Sequence, residues 1–326
     1  MRIEKIAGGL RVLAPAKINL YLEILGLRAD GYHEIDSIMQ AVSLFDELEF
    51  RTRERGDIRL DVLDERGAPV SHLGSPEANL VVRTARLLAA RRSGGVGSGG
   101  GATDVPLDVR LTKRIPAGAG LGGGSSDAAA ALIALTHLWD LRLPREELEG
   151  LAAQLGSDVA FFLRGGIARA SGRGEVIDSL GDLLASESIH FVLYNPGIHV
   201  PTSLIYRELD RIERYQVGLT VPSRLATMSP RSIREAILGG DLFFNRLQAV
   251  AFQEFEPLGD RFEEFQRQGF LAAIMSGSGS TLYGVCLDQV AAEEAARKVR
   301  EELIDRPGGT GTCAVVRGEP EFSLPW

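Results

Sequence analysis

Apolar residues recur along this chain with two periods, and the switches between them outline its elements. In residues 10–25, Ile18, Leu20, Leu22 and Ile24 alternate with Asn19, Tyr21 and Glu23, the period of a half-buried strand. Residues 26–34 carry Asp30-Gly31 and read as a hairpin turn, followed by strands over 35–44, 46–53 and 57–63. Residues 79–88 have helical spacing, with Asn79 placed to cap the first turn. Alternation returns over 105–111. An Ala-rich run with Leu132, Leu135, Leu138 and Trp139 at helical spacing then predicts a helix opened by Ser and Asp. A further helix starts at Pro144, with acids in its first turn, and ends near Gly156. Asp158 stands before the apolar run 159–163 as a plain helix cap, and a strand over 167–177, broken at 171–174, closes this half.

A different order begins near residue 185: strand 189–194, helical stretches, strands 271–275 and 281–287, helix 289–303 and strand 311–316. This approximates the β-α-β-β-α-β ferredoxin-like unit, with extra helices inserted between 201 and 268. The expectation is an α+β chain of two domains, an N-terminal α/β domain over 1–180 and a C-terminal ferredoxin-like domain over 181–326, with a site in the cleft between them.

The chemistry concentrates between the strand 105–111 and the Ala-rich helix. There the chain runs Pro116-Ala117-Gly118-Ala119-Gly120-Leu121-Gly122-Gly123-Gly124-Ser125-Ser126-Asp127. Glycines allow a backbone to approach a ligand and tolerate positive φ. The helix start behind them offers unpaired N–H groups and the positive end of a dipole, so the loop reads as a cradle for a phosphate chain. A flexible linker does not run directly into an apolar-faced helix. Gly118 to Gly123 satisfies G-x-G-x-x-G, but no strand ends in an acid at the dinucleotide spacing, and no Gly-Lys-Ser/Thr closes a P-loop. Residues 93–101 are also glycine-rich, but no apolar helix or charge accompanies them, so they read as a disordered loop. The turn 275–281 is either a tight hairpin or a second ligand-facing loop.

Composition narrows the partners. The 326 residues are 44% hydrophobic and carry a net charge of −8, which argues against nucleic acid, whose phosphates would be repelled. An anionic small substrate needs local Lys and Arg. Cys286 and Cys313 lie in apolar strands and read as buried free thiols in a reducing compartment. No apolar run approaches a membrane span and the N-terminus lacks a signal-peptide core, so no membrane partner is expected and the cytoplasm is. The histidines show no zinc spacing with Cys or acids, and no Gly-x-Ser-x-Gly elbow occurs.

Three stretches match in order and spacing those of the GHMP kinases: Pro15-Ala16-Lys17-Ile18-Asn19-Leu20, the glycine loop, and Ser276-Gly277-Ser278-Gly279. The chain resembles that family over nearly its whole length. Arg28-Ala29-Asp30-Gly31-Tyr32-His33 and Gly156-Ser157-Asp158-Val159 are similar to the members acting on cytidine diphosphate-linked methylerythritol, in the non-mevalonate route to isoprenoid precursors. The stretches 93–101 and 211–231 depart from the pattern and look like surface insertions.

The resemblance implies a GHMP kinase-like fold, ATP and Mg²⁺ as cofactors and a small-molecule alcohol as acceptor. It assigns ATP to residues 116–126 (Pro116, Ala117, Gly118, Ala119, Gly120, Leu121, Gly122, Gly123, Gly124, Ser125 and Ser126), with Asn79 near the adenine and Ser125 the candidate for Mg²⁺. Asp158 takes the catalytic acid–base role and Lys17 pairs with it, although a lysine at a strand head, seen alone, reads as a solvated surface residue. Tyr32 and His33 fit a cytosine reader, one stacking and one hydrogen-bonding, with Tyr206 across the base and Asn19 and Thr202 also on the substrate. For Asp127, facing a metal and capping the helix both remain open. The competing readings are another GHMP small-alcohol kinase and, from the glycine pattern alone, an NAD-dependent oxidoreductase.

Overall fold

The computed structural model describes residues 1–70, 75–92, 106–184, 187, 189–215, 217–218 and 220–322. The glycine-rich stretch 93–101 lies outside them. The described chain forms β1 (Arg2–Ile6), β2 (Gly9–Leu27), β3 (His33–Thr52), β4 (Arg59–Asp64), α1 (Leu80–Arg92), β5 (Leu107–Lys113), α2 (Gly123–Leu138), α3 (Arg145–Leu155), α4 (Val159–Arg164), β6 (Ile167–Gly172) and β7 (Val176–Ser179). It continues through β8 (His190–Asn195), α5 (Thr202–Glu213), α6 (Pro230–Gly239), β9 (Phe244–Asn245), α7 (Arg246–Glu254), α8 (Glu256–Gln266), β10 (Ala272–Met275), β11 (Leu282–Cys286), α9 (Gln289–Val299) and β12 (Thr312–Arg317). Among the described residues, no helix is long and apolar enough to cross a membrane.

The long β2–β3 hairpin is the frame of the first sheet. One end of β3, from Glu47 to Thr52, pairs with β5, while Ile35 to Gln40 pairs with β6. The expected strands 35–44 and 46–53 are thus one strand. The irregularity that divides them is a bulge: Pro15 faces Phe45, but Ala16 already faces Val42. A second shift, between Asn19 and Tyr21, changes which face each later side chain takes.

The second sheet runs β10-β11-β8-β12, antiparallel throughout. That is the ferredoxin-like order expected from the sequence. Its central strand β8 is apolar on both faces because both are covered. Phe191 and Leu193 pack with Ile18, Leu20 and Tyr283 between the two sheets, while Val192 and Tyr194 pack with Ile205, Phe265 and Val299 under the helices. The helix expected over 289–303 is α9 followed by a wider turn from Arg300 to Ile304. Cys286 is a buried free thiol; Cys313, expected to be buried, is only partly so, because β12 is an edge strand.

Two connections bind the sheets together. Strand β9 pairs in parallel with Tyr21 and Leu22 of β2, although it follows β8 by about fifty residues. After β12 the tail returns to the first sheet, where Glu319 N donates to Ala41 O and Gln40 Nε2 donates to Glu319 O.

Candidate active site

Strand β2, the glycine loop, helix α5 and Gly277 and Ser278 of the second glycine turn line a cavity of about 1080 Å³, at the top of the range for one drug-sized ligand. The glycine loop forms one wall. Its residues Gly118, Gly120 and Gly122 all take positive φ, and a Cβ on Gly120 would stand 2.0 Å from Ser276 O. The loop therefore touches the second glycine turn directly: Ser276 Oγ donates to Gly120 O at 2.9 Å, and Thr281 N donates to Ala119 O. Asn245 ties that turn down, donating to the carbonyls of Met275 and Gly277. No local pattern marked Asn245; its partners lie some thirty residues away.

The helix behind the loop does not begin as expected. Its N-cap is Gly122 in the left-handed region, so Ser125 and Ser126 fall inside the first turn with Asp127 just past it, and no side chain caps it. Pro116 to Gly120, Gly122 to Ser125 and Asn79 line the cavity. Leu121 does not: its side chain is buried between the sheets and its carbonyl accepts from Lys17 N. Ser126 is fully buried, its hydroxyl unpartnered among the described residues. The Asn79 side chain caps α1, its Oδ1 accepting from Val81 N.

Asp127 neither caps the helix nor stands free. It accepts from Lys113 Nζ at 2.8 Å, and the same ammonium reaches Asp46. Asp46, fully buried, accepts the N–H groups of Arg114 and Ile115. Two buried carboxylates thus share one ammonium. Burial pushes the Asp127 carboxyl up to about 7, with Lys113 pulling the other way. Lys113 is raised as well: burial acts against its charge, but Asp127 and Asp46 outweigh it.

Lys17 is not a solvated lysine. It is 5% exposed, on the β2 face opposite Ile18, because β2 is a central strand covered on both sides. Its Nζ donates to Asn19 Oδ1 at 2.6 Å and stands 3.5 Å from Asp158 Oδ2. Asn19 passes the orientation on: Nδ2 donates to Ser37 Oγ, which donates to Tyr21 O. So Asn19, which also lines the cavity, spends its amide on fixing Lys17. Asp158 occupies the N-cap position of α4 but makes no capping bond there, which leaves its carboxylate to the cavity.

At the far end the β2–β3 turn presents Tyr32, 53% exposed, beside His33. Tyr206 of α5 lies across from His33, with ring centroids 4.8 Å apart, and burial pushes its hydroxyl up, aided by the Asp158 charge. His33 Nε2 meets Asp210 Oδ1 at 2.7 Å. A carboxylate only accepts, so Nε2 carries the hydrogen. Asp210 was not foreseen, since its partner is far away in sequence. Thr202 Oγ1 shares a hydrogen bond with Ser278 Oγ, joining α5 to the second glycine turn.

Family models describe the same chain in two pieces, the GHMP kinases N terminal domain over residues 79–166 and the GHMP kinases C terminal over 226–305. It is 37% identical over 317 residues to a 4-diphosphocytidyl-2-C-methyl-D-erythritol kinase of Mycolicibacterium gilvum, covering 95% of this chain and 89% of that one. A protein of the same description from Pelotomaculum thermopropionicum is 39% identical over 295 residues, 88% of this chain and 93% of the relative. A crystal structure of 4-(cytidine 5'-diphospho)-2C-methyl-D-erythritol kinase superposes with a TM-score of 0.68 at 32% identity, over 95% of this chain and all of that one. A homoserine kinase from Cytophaga hutchinsonii shares the fold alone, with a TM-score of 0.64 at 15% identity over 98% of each chain.

Proposed function

The chain belongs to the GHMP kinase family, and on that premise we propose that it transfers the γ-phosphoryl group of ATP to the 2-hydroxyl of 4-diphosphocytidyl-2-C-methyl-D-erythritol. The observation that carries this reading is the Lys17–Asp158 pair, 3.5 Å apart, set between a glycine loop and an aromatic pocket in one cavity. Phosphoryl transfer asks a protein chiefly for positioning and for stabilisation of developing charge. Asp158 accepts the proton of the attacking hydroxyl, and Lys17, held by Asn19, stabilises charge on the transferring group. The loop from Pro116 to Ser125 fits a polyphosphate, because it lines the cavity together with the start of α2 and its glycines keep side chains out. Asn79 takes the adenine side. Tyr32, His33 and Tyr206 take the base of the acceptor, with Thr202 beside them.

Mg²⁺ would shield the phosphate charges. The hard oxygens of Ser125 and Asp158 suit it, and among the described residues no cluster of three acidic, His or Cys side chains competes. In this reading residues 1–180 carry the nucleotide and residues 181–326 close the acceptor side. An ATP-using enzyme with free thiols fits a reducing cytoplasm.

The test is ADP release with the cytidine diphosphate-linked alcohol, compared with cytidine-free alcohols such as homoserine and mevalonate. Turnover of the cytidine-bearing substrate alone is the expected result. Equal turnover of a cytidine-free alcohol would assign a different acceptor. Thermal protection by NAD but not by ATP-Mg would remove the chain from the kinases.

A further inference from the structure

The acceptor in the proposed reaction carries a diphosphate between its base and its reacting alcohol, in a protein whose net charge is −8. Something in the cavity must meet that charge. Four cationic side chains line it among the described residues: Lys17, Lys113, Arg173 and Arg207. Lys17 is committed to Asn19 and Asp158, and Lys113 to Asp46 and Asp127. Arg207 is 71% exposed on α5 and leans toward Glu208.

Arg173 is placed differently. It sits in the turn between β6 and β7, and its guanidinium lies over the Tyr32 ring, 4.7 Å from the centroid. The same turn reaches the catalytic end: a Cβ on Gly174 would stand 3.5 Å from Ser157 Cβ and 3.9 Å from Asp158 Oδ1. Arg173 thus stands on the aromatic platform, one residue before the glycine that approaches the catalytic carboxylate, and a base-linked diphosphate must run between those two points. Its carboxylate partner is Glu175, 3.5 Å from Nε and partly exposed, and Asp30 adds a more distant charge. A partly exposed pair at 3.5 Å is weak and leaves the planar fork able to engage phosphate oxygens.

We propose that Arg173 is a substrate-binding residue that holds the diphosphate of the acceptor, with its stacking on Tyr32 fixing where the guanidinium lies. This rests on the acceptor reading above. Charge-assisted bonds from one arginine to a phosphate are worth about ten- to a hundred-fold in affinity.

The experiment compares CDP with cytidine as ligands of the wild-type enzyme, Arg173→Met and Arg173→Lys, with ATP binding measured in parallel. The wild type should prefer CDP. In Arg173→Met that preference should fall about ten-fold or more, with ATP affinity and cytidine affinity nearly kept, and Arg173→Lys should restore much of it. An unchanged CDP-to-cytidine ratio in Arg173→Met would overturn the proposal. Equal weakening of both ligands would do the same, by assigning Arg173 to support of the Tyr32 ring alone. A lysine variant no better than methionine would exclude charge as the cause. A wild type that binds neither CDP nor cytidine would instead defeat the acceptor reading, so the two failures are distinguishable.

Discussion

The ammonium of Lys17 reaches Asp158 because Asn19 holds it there, and Asn19 is held in turn by Ser37. Asn19→Leu should therefore lower kcat by about ten-fold or more, the scale of one charge-assisted hydrogen bond, while KM for ATP changes little. Steady-state kinetics decide it; a loss confined to the acceptor KM would make Asn19 a substrate contact instead. Tyr32 presents an open aromatic face, and stacking of a base on such a ring is worth roughly 1–3 kcal/mol. Tyr32→Ala should raise the acceptor KM by about ten-fold and leave that for ATP unchanged; a rise for ATP alone would move the Tyr32 turn to the adenine side. Lys17, Asp158, Tyr32 and His33 were legible because each sits in a recognisable local motif. Asp46, Asp210, Arg173 and Asn245 were not, since their meaning comes from partners that only folding brings near.

The glycine loop was legible as an element, but the cause of its glycines was only half visible. A Cβ on Gly122 would meet the Phe162 ring at 2.9 Å and Lys17 Cγ at 3.1 Å, in a backbone region that side chains rarely adopt. Gly122→Val should thus lose catalysis through displaced Lys17 as well as ATP binding, so kcat falls together with affinity. Ser and Asp at a helix start read as caps, yet here the left-handed Gly122 caps and Asp127 turns inward to Lys113. That burial has a pH signature. An acid whose pKa rises from its ordinary 3.8 to about 7 on folding favours the folded state when protonated, so its contribution weakens as pH climbs through that window. Asp127→Asn should therefore gain in Tm relative to the wild type by a few degrees between pH 5 and pH 8, as thermal unfolding at the two pH values would show. A constant difference across that range would place the charge elsewhere in the Lys113 network.

At the scale of the whole molecule, the ferredoxin-like order was readable because each of its elements has a clear period. The links between the sheets were not: β9 is two residues long, and the returning tail has no period of its own. Gln40 is the joint of that return, its amide NH2 sharing two hydrogens among Ala41 O, Gly166 O and Glu319 O. Ala41 O and Gly166 O keep backbone donors without it, but leucine would leave Glu319 O without this one and should cost about 1–3 kcal/mol in denaturant unfolding, with kcat per folded molecule unchanged. What β2, the glycine loop and α5 line together is a cavity that holds the lysine–aspartate pair. The most direct test is phosphorus NMR of the reaction with ATP and the cytidine diphosphate-linked alcohol, run beside Asp158→Asn. The wild type should build a new phosphomonoester resonance with the acceptor's diphosphate intact. Asp158→Asn should bind both ligands and form product about 10²–10⁴-fold more slowly, as expected for loss of a positioned acid–base group. A product extended at the diphosphate, or undiminished turnover by Asp158→Asn, would contradict the account.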